Sequence, residues 1–271
     1  GEVRVNKKRS KPDYKLQIGD QVRIPPMHVG QAKPRKARPP ETLVRKIEQA
    51  VLYQNRDILI VDKPAGLAVH AGSGVDYGLI DVMRLLYPAT EIELVHRLDR
   101  DTSGCLLLAK NRQALLAMQA LLQERQINKN YTAVVQGRWP QEINEISQPL
   151  QKFHLPNGER RVRVDAGGKT ALSRVKLLRG GNFYSIIQVE LVTGRTHQIR
   201  VHCQAQGHPI AGDDKYGDNE FNRNLRRRGI RRLMLHASRL ELPLSDYTSE
   251  LVINAPLPAE FELLLAEAKR A

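Results

Sequence analysis

From residue 41 onward the chain alternates short apolar runs with helical spacings, yet never settles into the regular strand, helix, strand rhythm of a doubly wound sheet. That irregularity narrows the fold most. Residues 41–49 read as a helix and 57–61 as a strand, while 79–87 and 111–125 carry apolar residues at helical spacing, the latter at 114, 115, 118, 121 and 122. The run Cys105 to Ala109, together with 131–135, 171–177, 184–192 and 250–253, reads as strands, and 257–269 as a closing helix. The class predicted is α+β: a mixed, largely antiparallel sheet with flanking helices.

Ahead of this domain, assigned to 41–271, residues 1–25 read as short strands and turns, too little for a domain by themselves. Five prolines fall between 25 and 40 among Lys33, Arg35, Lys36 and Arg38, so 26–40 reads as a basic linker with little to bury. The missing start methionine suggests a fragment or a processed chain. A chain of 271 residues can bury a core without staples, and its two cysteines, with no CxxC, argue against a disulfide scaffold or a zinc finger. A reducing cytoplasm is the expected compartment. No apolar run approaches the roughly 20 residues of a bilayer crossing, and the start has no secretory pattern. Lys plus Arg number 43 against 29 Asp plus Glu, a net charge of +14 that suggests an anionic partner.

Several chemistries fail on spacing. Gly167-Gly168-Lys169-Thr170 looks like the end of a phosphate loop, but the first glycine would fall on Arg163, and a strand follows where a helix is needed. His197 and His202 are five apart, on opposite faces of a strand and about 140° apart around a helix, so they do not easily share a metal. Neither GxSxG nor GxGxxG occurs. Ordinary side chains must carry any reaction.

Two clusters offer them. His96-Arg97-Leu98-Asp99-Arg100-Asp101-Thr102-Ser103-Gly104 is a polar loop entering a buried strand, a rigid mount for a reactive carboxylate. A surface loop of ion pairs and turn caps is an equal reading of those residues alone. Gly194-Arg195-Thr196-His197-Gln198-Ile199-Arg200-Val201-His202 reads as the start of a short helix, with Thr196 as N-cap, Arg200 in the first turn and Gly207 as the stop. Such an end suits a phosphate or carboxylate, and a solvated basic helix end is the plainer reading.

Taken together the two clusters resemble the RluA family of pseudouridine synthases. Further matches follow in order: Asp62-Lys63-Pro64-Ala65-Gly66-Leu67 with His70, Lys129-Asn130-Tyr131 through Gly137, Pro209 to Asp213 with Tyr216-Gly217, and Leu235-His236-Ala237. The resemblance implies a pseudouridine synthase fold with a central RNA-binding cleft, in which Asp99 is the catalytic aspartate, Tyr131 the active-site tyrosine, Arg200 the arginine paired with the aspartate and Leu235 an apolar lining residue. Residues 1–25 look like the C-terminal remnant of an S4-like RNA-binding module. Overall likeness within the family favours large-subunit ribosomal RNA as substrate, with tRNA uridines as the alternative.

The residues fit that reaction. Moving the uracil attachment from N1 to C5 involves no net redox change or group transfer, so no cofactor or metal is called for. Asp99 has a reference pKa near 3.9 and is ionised at neutral pH, and a guanidinium keeps it so in a dry pocket. Tyr131 offers a flat face for an extruded base and a phenol able to assist removal of the C5 proton. Arg97, Arg100 and Arg195 are candidates for gripping neighbouring phosphates or filling the gap the base leaves. The run Arg223, Arg226, Arg227, Arg228, Arg231 and Arg232 reads as RNA-backbone contact, or as a solvated face. Two other classes stay open: a noncatalytic RNA-binding or ribosome-assembly protein, and an aspartate-nucleophile hydrolase, which leaves the +14 charge without a purpose. A monomer is the default state.

Overall fold

A computed structural model describes residues 3–11, 13–24, 38–72 and 75–267. By its contacts the chain divides into two compact units, Gly1–Arg38 and Pro39–Ala271. Of the expected linker, residues 26–37 lie outside the described residues, as do 268 and 269 of the expected closing helix.

In the first unit, β1 (Arg4–Val5) pairs antiparallel with β2 (Lys8–Arg9) and β3 (Val22–Arg23). Asp20 closes it by accepting from Asn6 Nδ2 and Gln17 N–H at 2.7 and 2.9 Å. Polar bonds hold this piece, for Val5 is its one buried apolar side chain among the described residues.

The second unit begins with α1 (Glu41–Gln49), β4 (Val51–Gln54), β5 (Ile58–Lys63), α2 (Leu79–Leu86), β6 (Glu93–Leu94), β7 (Ser103–Ala109) and α3 (Arg112–Gln123). It continues with β8 (Asn128–Gln136), β9 (Glu145–Ser147), β10 (Leu150–His154), β11 (Arg160–Val164), β12 (Leu172–Arg179), β13 (Tyr184–Leu191), α4 (Gln198–Ala205), α5 (Asn219–Arg227), β14 (Leu235–Leu242), β15 (Leu251–Asn254) and α6 (Ala259–Glu267). Among the described residues one large sheet runs β4-β5-β7-β14-β8-β13-β12-β9, with β15 beside β14 and β6 beside β7, while β10 and β11 form a separate hairpin. Every pairing in the large sheet is antiparallel except β7 with β14. The α+β, largely antiparallel fold is therefore observed.

The continuous apolar runs of β5 and β7 follow from burial on both faces. Leu59, Val61, Leu106 and Leu108 turn to the core shared with Ile47 of α1 and Val82 and Met83 of α2. Ile58, Ile60, Leu107 and Ala109 turn the other way, against Ala114, Leu115 and Met118 of α3. Helix α3 starts where Asn111 accepts Ala114 N–H at 2.8 Å and stops at Arg125, which adopts a positive φ of 60°. Burying Leu115 and Met118 contributes about 1.5–3 kcal/mol each.

Gly104 sets the parallel junction. Its φ is +108°, and a Cβ there would lie 2.3 Å from the carbonyl oxygen of Ala237 on β14. Only glycine lets β7 approach β14 at this point, and so lets the loop ahead of it emerge beside the neighbouring strands.

Candidate active site

That loop is tied down at both ends. The buried Lys63 at the end of β5 donates to the carbonyls of Pro64, Leu67 and Arg100 at 2.9, 2.8 and 2.9 Å. All three of its protons are thereby used, although burial pulls the ammonium down to about 7 against the attraction of Asp101 and Asp99. Upstream, His96 Nε2 accepts the Leu107 N–H at 3.1 Å. Asp99 sits between these anchors, its own carbonyl accepting from Thr102 N–H at 3.3 Å.

Opposite Asp99 lies the start of α4. Gln198 receives the Arg195 N–H and the Thr193 hydroxyl and donates to the Leu172 carbonyl, which fastens the turn to β12. The N-cap falls on His197, one residue beyond the expected Thr196, because His197 takes the left-handed conformation (φ 53°) and helical backbone begins only after it. Gly207, with φ 79°, follows the helix end as expected, and Arg200 lies in the first turn.

Arg200 is buried. Its Nε and Nη2 each donate to Asp213 at 2.8 Å, and its Nη1 reaches Asp99 Oδ2 at 3.4 Å. Burial opposes its charge, but the Asp213 carboxylate, and after it Asp99, outweigh that and hold the guanidinium above its ordinary value. Asp213, also against the cost of burial, is held below the usual carboxylate range by Arg200 and by the N–H groups of Lys215 and Tyr216. Gly212 makes this delivery possible, since at φ +72° a Cβ would lie 1.9 Å from the Arg232 carbonyl oxygen.

Asp99 and Arg200 line a cavity of about 380 Å³, within the range of small-ligand sites. Tyr131 and Lys129, two apart on β8 and so on one face, line it with Leu235 of β14, and Arg97 and Arg195 line it with exposed side chains. Burial first, then the Asp99 and Cys105 charges, push the Tyr131 phenol well above its ordinary value. It therefore keeps its proton at neutral pH.

Six of the seven expected site residues meet in this cavity. Arg100 does not line it: its Nε donates to the Gly66 carbonyl at 3.1 Å, in a separate depression that includes Leu43 and Tyr77. Sequence reasoning passed over Asp213, His197 and Lys129. All three stand inside quoted motifs, and the Gly-Asp pair at 212 and 213 reads as an ordinary turn until the pairing thirteen residues away is seen. The basic run is a helix, α5, and its extension. Part of it is engaged internally, Arg226 with Asp214, Arg228 with Glu267 and Arg232 with Ser103, while Arg223, Arg227 and Arg231 are exposed.

The cavity thus sets an aspartate backed by a buried arginine between a loop and a helix start, the arrangement that the resemblance to pseudouridine synthases implied. Solved structures agree: human RNA pseudouridylate synthase domain containing 4 superposes with a TM-score of 0.67 at 26% identity, covering 84% of this chain and 96% of that one. Human RNA pseudouridylate synthase domain containing 1 gives 0.62 at 26%, covering 82% and 95%. The RNA pseudouridylate synthase family matches residues 57–205, and the chain belongs to that family. Its relatives include ribosomal large subunit pseudouridine synthase C of Escherichia coli (strain K12), 45% identical over 274 residues that span 100% of this chain and 86% of the relative. The enzyme of the same name from Pasteurella multocida (strain Pm70) is 44% identical over 98% of this chain and 82% of its own.

Proposed function

We propose that the protein converts specific uridines of large-subunit (23S) ribosomal RNA to pseudouridine, with Asp99 as the reacting group on a nucleotide turned out of its stack. The names of the relatives support the RNA. The observation that carries the chemistry is Asp99 Oδ2 at 3.4 Å from the buried, Asp213-bound Arg200 at the cavity that Tyr131 and Leu235 line.

Arg200 sets a guanidinium beside the Asp99 carboxylate, a charge partner for it at the cavity. Attack on C1′, attack on C6 and removal of the C2′ proton all start from the same ionised oxygen. Tyr131 contributes its face to the extruded base and, as a retained phenol, can donate a hydrogen bond. Leu235 supplies apolar wall. Arg97, Arg195 and Lys129 bring positive charge to the mouth, suited to the flanking phosphates, and extruding the base costs a few kcal/mol that such contacts offset. We assign residues 1–25 to the end of an S4-like RNA-binding module and place the enzyme, as a monomer, in the cytoplasm, which suits both the substrate and the free, buried Cys105 and Cys203. No helix among the described residues is long and apolar enough to cross a membrane.

The test incubates large-subunit RNA transcript with wild type and with Asp99→Asn, then maps pseudouridine by carbodiimide-blocked primer extension. Wild type should give discrete new stops, and Asp99→Asn should lower their rate of appearance by about 10³-fold or more. Equal stops with both would refute Asp99 as the catalyst, and no stops with either would favour a noncatalytic RNA-binding protein.

A further inference from the structure

Arg200 is not alone in facing Asp99. His197 Nε2 stands 3.8 Å from Oδ2, the same oxygen that Arg200 Nη1 approaches at 3.4 Å. Among the described residues no group donates a hydrogen bond to Oδ1. The two oxygens of the carboxylate are therefore in different surroundings.

The other side of the imidazole identifies its tautomer. Nδ1 lies 2.7 Å from the Tyr216 hydroxyl, which already accepts the Val162 N–H of β11 at 2.9 Å. A phenol oxygen occupied as acceptor turns its one proton to the remaining neighbour, so Tyr216 donates to Nδ1 and the ring proton is left on Nε2, toward Asp99. Tyr216 is itself held, its ring edge-on to His197 at 5.4 Å and under the Arg200 guanidinium at 5.1 Å. Burial disfavours a second proton on His197 more than Asp99 favours it, so the ring is neutral. The left-handed backbone at 197, rare for a residue with a side chain, is maintained where it brings this ring to the cavity.

We propose that His197 is a positioning residue for Asp99: its Nε2–H, together with Arg200, holds Oδ2 so that Oδ1 is the oxygen presented to the nucleotide. The inference rests on Asp99 as the reacting group. Closing the separation to a hydrogen bond requires a shift of about 0.9 Å, the tightening that catalytic hydrogen bonds undergo once substrate is seated.

The test measures kcat and KM on large-subunit RNA transcript for Asp99→Asn, His197→Ala, His197→Gln, Tyr216→Phe and the double variant His197→Ala/Tyr216→Phe. His197→Ala should lower kcat by about 10- to 100-fold and leave KM within about twofold, the signature of a misaimed group. His197→Gln, whose amide N–H reaches the Nε2 position, should recover most of the loss. Tyr216→Phe should lower kcat several-fold in the wild-type background and not at all in His197→Ala, because it acts through the imidazole. Its effect on thermal stability, through the orphaned Val162 N–H, should appear in both backgrounds. Unchanged kcat in His197→Ala, no recovery in His197→Gln, or additive losses in the double variant would each overturn the proposal. Should His197→Ala fail to fold, His197→Gln at near wild-type kcat with Tyr216→Phe reduced supports it, and Tyr216→Phe at wild-type kcat overturns it. Full activity in Asp99→Asn would instead refute the role of Asp99, whereas an inactive Asp99→Asn beside a fully active His197→Ala would refute the positioning role alone.

Discussion

At Arg200 two carboxylates are bound unequally, and the inequality serves the chemistry. Asp213 takes two donors at 2.8 Å in a planar fork, while Asp99 receives one at 3.4 Å. The fork fixes the plane of the guanidinium and answers most of its charge. Asp99 is thus approached by the guanidinium without being locked into a tight pair that would blunt its reactivity. Asp213→Asn should leave the buried cation to Asp99 alone: we expect a loss of roughly 3–5 kcal/mol in urea unfolding and a fall in kcat as the guanidinium closes on Asp99. Retained stability would show that the pair is dispensable. Of this arrangement the Asp99 and Arg200 positions were legible in the sequence through their motifs, but Asp213 was not. An aspartate after glycine carries a local turn signal, and its partner is chosen by tertiary structure alone. The same holds for His197, whose left-handed backbone runs against the preference of any residue bearing a side chain.

Elements with apolar residues at helical or strand spacing, such as 79–86 and 112–123, lay within two residues of their predicted bounds, since burial of one face decides them. Helix α5 was hidden because Phe221 and Leu225 supply its whole apolar anchor among arginines. Strand β14 was not read as a strand at all, and its pairing with β8 shifts register between His236 and Arg239, breaking the alternation that marks one. This strand carries a pH liability. His236 is fully buried beside Ser103 of β7, 2.8 Å from its hydroxyl, and burial lowers its pKa to about 4; His96, bonded to β7 from the other side, is lowered likewise to about 4. Below about 6.5 the unfolded chain binds protons that the folded one refuses. Stability is therefore complete above that pH and is lost as pH falls from 6.5 through 4, on the order of 2–3 kcal/mol for each imidazole. Urea midpoints measured between pH 7 and 4.5 should decline, and His236→Gln, although less stable at pH 7, should decline less steeply. A wild-type midpoint flat over this range would refute the assignment of these histidines as buried and neutral.

Over the whole molecule the net charge of +14 is distributed unevenly: residues 1–38 hold eleven Lys and Arg against three Asp and Glu, more than half of the excess. They form a unit of their own whose described residues bury little, whereas residues 39–271 contain the large sheet and the cavity. Charge in the first unit and chemistry in the second predict a separation of binding from turnover. Each phosphate neutralised releases counterions and adds about 0.7–0.9 to the slope of log affinity against log salt. A chain beginning at Pro39 should therefore bind a large-subunit RNA fragment more weakly, and with a shallower salt slope, than the full chain. Its kcat at saturating RNA should be little changed, because Asp99, Arg200, Tyr131 and their anchors all lie beyond residue 39. Anisotropy titrations of labelled RNA at about 50 and 200 mM salt supply the slopes, and single-turnover assays supply the rate. Identical slopes for the two chains would mean that the basic N-terminal unit does not touch RNA, and a collapsed rate with intact affinity would mean that it serves the reaction itself.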